Sequence, residues 1–254
     1  MSVHETKGNQ SVGKALKIIE ILASSAEPMR LIDIAALVEM PQSTALRMMA
    51  TLMDYGYIAQ SSDSQKYFLT MKFAQIGSMV ASRFNIRDVV RPYIVKLSRD
   101  CGEASCLAID SNMEALYVDV VDGPDGMLRI MQHIGKRSPL HCSGVGKCLL
   151  LNYSEAEIDD YIEKKGLAYF TPNTITTKEM LLEELEKVRK QGYAMDNEEC
   201  ELGARCISGG IRNYSGKIVA AISISGPVNR MSEDYVKQIS VPLMEAVGEI
   251  SNLL

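Results

Sequence analysis

Residues 31–69 carry the most informative pattern of hydrophobic and polar positions in the chain. Apolar residues recur at helical spacing in two short segments: Ile34, Ala35 and Val38 in the first, and Ala45, Met48, Met49 and Leu52 in the second. Glu39 and Met40 form the turn between them, and Pro41 suits a first helical turn, where its missing N–H costs nothing. The pattern predicts a helix from about Leu31 to Val38, then a second helix that Gly56 ends.

A short hairpin is predicted after the second helix, because the strand-like segments Ile58–Gln60 and Tyr67–Leu69 flank a polar tip. Helix, turn, helix and hairpin in this order are typical of a winged helix-turn-helix, whose second helix enters the DNA major groove. Its polar face then supplies the contacts with bases and phosphates. The candidate DNA-binding residues are Gln42, Ser43, Thr44 and Arg47, with Leu46 able to contact a thymine methyl group. A fold that binds only proteins would leave the same face solvated, and this alternative stays open.

Two more helices are predicted in the first third of the chain. The first begins at a capping Ser11 and has apolar residues at helical spacing: Val12, Ala15, Leu16, Ile19, Leu22 and Ala23. The second follows the hairpin and has a nearly heptad seam: Leu69, Phe73, Ile76, Val80 and Phe84. We expect this linker helix to pair with its copy in a second chain, although packing on its own domain is the alternative. The polar residues 1–10 are expected to be mobile.

From Arg87 onward, helical and strand-like patterns alternate. A helix is predicted from Arg87 to about Gly102. Strand-like segments are Ala104–Ile109, Ala115–Val121, Met127–His133, Ile207–Ile211 and Ile218–Ile224, with a turn at Ser215 and Gly216. Further helices are predicted at Gly144–Leu151, Glu155–Lys165, Thr177–Gln191 and from Ser232 to Leu254, the last with a kink at Pro242. The predicted class is α+β, with a curved, mainly antiparallel sheet in the second domain.

Length and composition favour a two-domain protein. The chain has 254 residues, of which 46% are hydrophobic, and it has no apolar run near the roughly 18 residues of a membrane span. The N-terminus lacks the apolar core of a signal peptide, so we expect a cytoplasmic protein. The net charge is −5, with +1 in residues 1–85 and −6 in the remainder. Because the first part is not strongly basic, tight binding to DNA would need several protomers on one site.

Five blocks in the chain resemble the IclR family of bacterial transcription regulators. They occur in the family's order: VGKALKIIEIL, STALRMMATLMDYGYI, GKRSPLHCSGVGKCLL, GYAMDNEECELGARCIS and AAISISGP. The segments HIGKRSPL, YFLTMKF and GYAMDNEE resemble most the KdgR-like branch, regulators of pectin and 2-keto-3-deoxygluconate catabolism. The resemblance covers nearly the whole chain.

The resemblance implies a division of labour along the chain. Residues 1–70 would be a winged helix-turn-helix DNA-binding domain, 71–86 a linker helix, and 87–254 a GAF-like effector-binding domain. Family members are typically homodimers or dimers of dimers on double-stranded operator DNA, and many are repressors. Their effectors are commonly small carboxylates or sugar acids. The chain departs from the family at Leu46, where an aromatic or polar residue is frequent.

A second departure concerns the expected effector pocket. The chain has Ser208, Gly209 and Gly210 where the family usually has a small residue followed by proline. Because glycine adds backbone freedom, we expect a looser backbone beside the pocket and an altered effector size.

The candidate effector site combines amides, hydroxyls and two residues from family motifs. Ser143 and Gly144 directly precede a predicted helix, whose first N–H groups can bind an anion. Ser223 and Ser225 alternate with isoleucines on one strand, so their hydroxyls point to one side. The resemblance adds Asp196 and Cys206 to the same pocket. Ordinary roles compete: hydroxyls bonded to backbone, a turn aspartate and a buried apolar cysteine. Arg129 and Arg205 are further possible partners of a carboxylate.

A structural zinc site is a weaker alternative. His and Cys residues are soft metal ligands, and the chain has His133, His141 and cysteines at 101, 106, 142, 148, 200 and 206. None of them falls in a CxxC pair, and we expect no zinc. A reducing cytosol also argues against disulfides.

An enzyme is the alternative class of function. The segment SGVGK is similar to a phosphate-binding loop, but His141 replaces the first glycine and Cys148 replaces the final Ser or Thr. Cys142 with His133 is a conceivable nucleophile pair, but no third residue is ordered with them in the sequence. A DNA-binding regulator is therefore favoured over an enzyme, and also over a ligand-sensing module that does not bind DNA.

Overall fold

The structure is a computed structural model, and it describes residues 9–81, 85–123 and 132–254. Contacts between Cα atoms divide the chain into two units, residues 1–84 and residues 85–254. Each unit has its own apolar core: one in the first unit, and two on opposite faces of a sheet in the second.

The first unit is a winged helix-turn-helix. Its helices are α1 Gln10–Ser24, α2 Leu31–Leu37, α3 Gln42–Asp54 and α4 Lys72–Ala81, and its strands are β1 Ile58–Gln60 and β2 Tyr67–Leu69. The two strands pair antiparallel, with Ile58 opposite Leu69. The sharp turn between α2 and α3 places Glu39 at φ 55°, a left-handed conformation. The predicted helix, turn, helix and hairpin are thus confirmed.

Two details of the first unit differ from the prediction. Asn9, rather than Ser11, caps α1, because its side chain accepts hydrogen bonds from the backbone N–H groups of residues 11 and 12. The buried face of α1 contains Ile18 and Leu22, whereas Val12 and Leu16 are more than half exposed. Several faces of α1 carry apolar residues, so spacing alone did not identify the face that meets α2 and α3.

The second unit packs helices on both faces of one sheet. Its helices are α5 Ile86–Cys101, α6 Gly144–Leu150, α7 Glu155–Lys165, α8 Lys178–Gln191 and α9 Glu233–Ser251. Its strands are β3 Ala104–Asp110, β4 Glu114–Val121, β5 Arg137–Pro139, β6 Ala194–Asn197, β7 Ala204–Arg212 and β8 Ile218–Pro227. The strand order is β5-β4-β3-β8-β7-β6, and each neighbouring pair is antiparallel. Register shifts in the β3–β4 and β7–β8 pairs are of the kind that bends strands.

Alternation along β8 separates the two faces of the sheet. Ile222 and Ile224 belong to the core with α5 and α9, whereas Ala221 belongs to the core with α6, α7 and α8. The expectation that the serines and the isoleucines of this strand point to opposite sides is therefore consistent with the packing.

Two strands of the second unit, β5 and β6, were not predicted from the sequence. β5 and β6, of three and four residues, carry too few positions for a periodic signal. The predicted strand Met127–His133 lies largely outside the described residues. The last helix begins at the predicted cap, Ser232, and continues through Pro242 to Ser251 without interruption.

Candidate functional site

The exposed face of α3 is the first candidate site. Gln42, Ser43 and Arg47 are exposed, and Thr44 is half-buried. The opposite face of α3 contains Ala45 and Met49, which are fully buried in the core of the first unit. The predicted DNA-binding residues therefore lie together on the side of α3 that faces solvent.

The N-terminus of α3 is suited to a phosphate group. Pro41 is the capping residue rather than a first-turn residue, and it provides no side-chain hydrogen bond to the helix. The first N–H groups of a helix have no partner in a preceding turn, and the helix dipole adds positive charge there. An anion can therefore bind beside Gln42 and Ser43.

The apolar residues of the predicted seam on the linker helix α4 are partly packed and partly exposed. Phe73 packs near Tyr57, with ring centroids 5.2 Å apart, and thus contacts the winged unit itself. Ile76 and Val80 are exposed, at 37% and 59%. Phe84, the last position of the predicted seam, lies outside the described residues. The alternative of packing on its own domain holds for Phe73, while Ile76 and Val80 remain on the surface of this protomer.

A cavity of about 290 Å³ in the second unit is the second candidate site. The residues in its wall come from several elements: Tyr117, Gln132, Lys136, Ser138, Ser143, Gly144, Asp196, Cys200, Glu201, Ala204, Arg205, Cys206 and Ser225. Its size lies at the lower end of the range for ligand pockets, which is roughly 300–1,000 Å³, and so fits a small metabolite.

Five of the six predicted effector-binding residues line this cavity: Ser143, Gly144, Asp196, Cys206 and Ser225. Ser223 does not line it. Its side chain is buried on β8, and its Oγ makes no hydrogen bond with the described residues. Alternation along β8 identified the side of the sheet to which Ser223 points. It did not show that Ser223 is buried away from the cavity, because this depends on α6, which covers that part of the sheet. Of the two arginines, Arg205 lines the cavity, and Arg129 lies outside the described residues.

Asp196 is held in place by the backbone of the turn that follows β6. Its Oδ1 accepts hydrogen bonds from the N–H groups of Glu199, at 2.8 Å, and Cys200, at 3.3 Å. Burial raises the pKa of this carboxyl above its ordinary value. Both bonds use Oδ1, so Oδ2 can take part in a hydrogen bond with a ligand hydroxyl or carboxylate.

The start of α6 offers backbone rather than side-chain groups. The hydroxyl of Ser143 donates to the carbonyl of Pro139, at 2.6 Å, and accepts from the N–H of Gly146, at 3.2 Å. A Cβ on Gly144 would lie 2.5 Å from Ser208 Oγ, so only glycine lets α6 approach β7 this closely. What Ser143 and Gly144 can offer a ligand is their N–H groups at the helix start.

The cavity wall has two cationic side chains, Lys136 and Arg205, and two acidic ones, Asp196 and Glu201. Arg205 is fixed by hydrogen bonds to Asn197 Oδ1, at 2.8 Å, and to the carbonyl of Met231, at 2.5 Å. Lys136 was missed by the sequence analysis, as were Tyr117 and Ser138. These three residues enter the wall because β5 pairs with β4, and a strand as short as β5 has no periodic signal in the sequence.

The pair Gly209 and Gly210 has a packing role. A Cβ on Gly209 would lie 2.6 Å from Val247 of α9, and a Cβ on Gly210 would lie 2.9 Å from Ile218. Neither glycine lines the cavity. The expectation of a looser backbone beside the pocket is therefore wrong, because both glycines serve close contacts with neighbouring elements.

Residues 9–81, 85–123 and 132–254 contain no group of three His, Cys, Asp or Glu side chains that could hold a metal ion. His141 and Cys142 are buried, and His133 is exposed. In the same ranges no helix is both long and apolar enough to cross a membrane.

Comparison with known families matches both units. The family model of the bacterial transcriptional regulator IclR C-terminal domain matches residues 78–252, and that of the IclR helix-turn-helix domain matches residues 11–62. Together they cover the α3 surface and the cavity.

Similar proteins span nearly the whole chain. The HTH-type transcriptional regulator XynR of Escherichia coli is 31% identical over 245 residues, which cover 96% of this chain and 97% of that protein. The transcriptional repressor IclR of the same organism is 31% identical, with coverage of 95% and 89%. These relatives are transcription regulators rather than enzymes.

Solved structures of transcription regulators are also similar to this chain. The crystal structure of Thermotoga maritima IclR is 33% identical, covers 96% of this chain and 98% of that chain, and has a TM-score of 0.64. The C-terminal domain of the E. coli transcriptional regulator KdgR is 31% identical, covers 66% and 98%, and has a TM-score of 0.60. The resemblance seen in the sequence is confirmed, and this chain belongs to the IclR family of bacterial transcription regulators.

Proposed function

We propose that this regulator is a repressor that binds double-stranded operator DNA through α3 and is controlled by a small carboxylate or sugar acid in the cavity. The observation that carries the proposal is the exposed face of α3 at the centre of a winged helix-turn-helix. Relatives that are named repressors support the sign of regulation. Because bacterial operator DNA lies in the cytoplasm, a regulator of this kind would act there.

Gln42, Ser43, Thr44 and Arg47 form the DNA-reading surface in this proposal. Arg47 is long enough to reach guanine, Gln42 can pair with adenine, and Ser43 and Thr44 can bind phosphate near the start of α3. The net charge of residues 1–85 is only +1, so one reading head binds weakly by electrostatics alone. A homodimer, or a dimer of dimers, would add the affinity that a single head lacks.

The exposed apolar residues Ile76 and Val80 of α4 support association of two chains. Burying them against a second copy removes apolar surface from water. We keep the predicted functional division: residues 1–70 read DNA, 71–86 link, and 87–254 bind the effector.

The cavity wall has two cationic side chains beside two carboxyl groups, Asp196 and Glu201, and we expect an anionic effector to pair with the cations. Lys136 and Arg205 supply positive charge, and the amides of Ser143 and Gly144 supply N–H donors. Asp196 and Ser225 then select for ligand hydroxyls, and Cys206 forms an apolar part of the wall. Burial raises the pKa of the Asp196 carboxyl, and a bound carboxylate beside it would raise this pKa further.

Regulation requires that the effector bind two arrangements of the dimer unequally. Coupling between two sites is typically about 1–3 kcal/mol, which corresponds to roughly a 5–150-fold change in affinity for DNA. The linker helix would transmit this difference to the spacing of the two reading heads.

Replacing Arg47 with alanine is expected to weaken operator binding by about 1–3 kcal/mol, because a guanidinium that contacts a base edge is lost. The operator would first be located by footprinting upstream of neighbouring genes, and affinity would then be measured by fluorescence anisotropy at fixed salt. Effector binding should not change. Arg189→Ala is the matched control, since it removes the same charge from an exposed helix of the second unit. Equal affinities for the two variants would contradict the assignment of the α3 surface.

Replacing Ser225 with alanine is expected to weaken effector binding by roughly 1–2 kcal/mol and to leave operator binding without effector unchanged. Thermal-shift screening of small keto acids and sugar acids, such as pyruvate and gluconate, would first identify a ligand, since a ligand of the folded state raises apparent stability. Isothermal titration then measures its affinity. Ser223→Ala is the control, because Ser223 lies on the same strand but does not line the cavity. A loss of affinity with Ser223→Ala alone would remove this cavity from consideration.

A further inference from the structure

Two cysteine thiols face each other at the edge of the cavity. Cys142 directly precedes the capping residue of α6, and Cys200 lies in the turn after β6. Their Sγ atoms are 3.3 Å apart. A disulfide bond has an S–S length of about 2.05 Å, so the sulfurs need to approach by roughly 1.2 Å. Small rotations of two side chains can supply a movement of this size.

We propose that Cys142 and Cys200 form a peroxide-reactive thiol pair that closes to an intramolecular disulfide in the cavity wall. Access to the pair comes from Cys200. Cys200 is half-buried and lines the cavity, whereas Cys142 has no exposed surface. A small oxidant such as hydrogen peroxide therefore meets Cys200 first, and Cys142 lies behind it as the resolving thiol.

The reaction balances in two steps. The thiolate of Cys200 attacks one oxygen of hydrogen peroxide, the O–O bond breaks, and a sulfenic acid and hydroxide result. The sulfur of Cys142 then attacks the sulfur of the sulfenic acid, the S–O bond breaks, and the hydroxyl group leaves with a proton as water. In total, two thiols and one hydrogen peroxide give one disulfide and two waters. The two sulfurs lose two electrons together, and the peroxide gains them.

The contact between the two sulfurs stabilises a thiolate in the pair. This contact, in which either S–H can donate, lowers the pKa of Cys142 and raises that of Cys200. One proton is thus shared between two sulfurs in contact, and it can reside on either of them. The negative charge therefore lies mainly on Cys142, and Cys200 becomes the nucleophilic thiolate when its proton moves to Cys142 across the 3.3 Å contact.

The groups around the pair are His141 and the buried carboxyl of Asp196. Nε2 of His141 donates to the carbonyl of Ala168, at 3.1 Å, and Nδ1 lies 2.9 Å from the hydroxyl of Tyr161. Its side chain also lowers the pKa of Cys142, while the charge of Asp196 opposes this effect. The acidity of the pair therefore comes first from the contact between the two sulfurs.

The other cysteines lack these properties. Burial raises the pKa of Cys106 and of Cys148 to about 12, so both remain protonated thiols at neutral pH. Cys206 lines the cavity, but its Sγ contacts the hydroxyl of Ser208, at 3.3 Å, rather than a second thiol. Cys101 is half-buried at the end of α5, and burial raises its pKa as well.

The disulfide would join two parts of the cavity wall. Cys142 is continuous with Ser143 and Gly144, and Cys200 donates its backbone N–H to Asp196. Closing the bond would therefore move groups proposed to bind the effector. This consequence for effector affinity rests on the proposed function, whereas formation of the disulfide does not.

The test treats the full chain with one equivalent of hydrogen peroxide, then alkylates free thiols and maps the peptides by mass spectrometry. We expect Cys142 and Cys200 to lose alkylation together, about tenfold faster than Cys101, and to appear as one cross-linked peptide. Dithiothreitol should restore both thiols. If both cysteines stay alkylated while others are oxidised, or if Cys200 is joined to any other cysteine, the proposal is wrong. This measurement needs no variant and is independent of DNA and effector.

Two variants separate the roles of the sulfurs. Cys142→Ser is expected to stop at the sulfenic acid of Cys200, which dimedone traps, and Cys101→Ser is expected to behave as the wild type. The oxidation rate of the wild type should rise with pH to a midpoint below the ordinary thiol value of about 8.5, since the thiolate is the reactive form. Loss of two thiols in Cys142→Ser, or a midpoint above 8.5, would contradict the shared-proton pair.

Discussion

Replacing Lys147 with alanine is expected to lower the free energy of unfolding by roughly 3–5 kcal/mol, the usual cost of breaking a buried ion pair by removing one partner. Lys147 has no exposed surface. Its Nζ lies 2.6 Å from Glu199 Oε1, 3.2 Å from Glu184 Oε1 and 2.7 Å from the carbonyl of Met195. The alanine variant would leave Glu199, which is 7% exposed, without its counter-charge.

The pKa of Glu199 shows how expensive this environment is for a charge. Burial raises the pKa of its carboxyl to about 7, although Lys147 acts in the opposite direction. Removing the lysine would raise this pKa further, so the carboxyl would take up a proton at neutral pH. Protonation avoids a buried charge but leaves the carbonyl of Met195 and Oε1 of Glu184 without the donor that Lys147 supplied.

Urea unfolding followed by circular dichroism measures the effect. Lys164→Ala is the matched control: Lys164 makes an exposed pair with Asp160 four residues earlier in α7, and we expect a loss below about 1 kcal/mol. Lys147→Met combined with Glu199→Leu removes both charges and should recover most of the stability. If Lys147→Ala and Lys164→Ala lose the same amount, the internal ion cluster does not support the fold as described.

Lys147 also explains a misleading signal in the sequence. It is the lysine of SGVGK, the segment that is similar to a phosphate-binding loop. In the structure this lysine is directed to two carboxylates and a carbonyl, so its charge is used inside the protein. A sequence motif shows which residue types are near each other along the chain, but the partners of Lys147 come from 37 and 52 residues away. Long-range pairing of this kind has no local signature.

The difference between local sequence patterns and long-range contacts also explains which parts of the fold and of the sites could be predicted. Helix and strand periodicity identified α3 and its exposed face, because one apolar stripe of α3 had to be buried and the rest had to face solvent. It also gave the correct side of β8 for Ser225. It did not distinguish Ser225 from Ser223, because depth depends on where α6 lies against the sheet. Lys136 and Tyr117 of the cavity wall needed the pairing of β4 with β5, which only the three-dimensional structure gives.

Glycines illustrate the limit of backbone arguments from sequence. Gly209 and Gly210 suggested a loose segment, yet the structure packs them closely against Val247 and Ile218. A glycine shows that a side chain is absent, but not whether the space is used by solvent, a ligand or a neighbouring element. The consequence of filling that space therefore differs from one glycine to another, and it can be measured.

Replacing Gly146 with alanine is expected to lower the free energy of unfolding by about 3 kcal/mol, near the upper end of the range for overpacking. The added Cβ would lie 2.4 Å from Leu140 Cα and 2.6 Å from the carbonyl oxygen of the same residue. These are backbone atoms of a fully buried residue, so they cannot move away as a flexible side chain would. The start of α6 would have to shift instead, and Ser143 and Gly144 at the cavity would shift with it. We therefore expect weaker effector binding as well as lower stability.

Gly248→Ala is the control that separates this contact from a general effect of losing glycine. Gly248 lies inside α9 of the same unit, has nothing within 4 Å of its ideal Cβ position and is exposed. Alanine there should raise the free energy of unfolding by about 0.4–1 kcal/mol, since it restricts the unfolded chain and favours the helix. Urea unfolding of both variants gives two changes of opposite sign if close packing between α6 and Leu140 is the cause. A stabilised Gly146→Ala variant would show that α6 can move from Leu140 without cost, and the rigid anion-facing helix start proposed for the cavity would have to be abandoned.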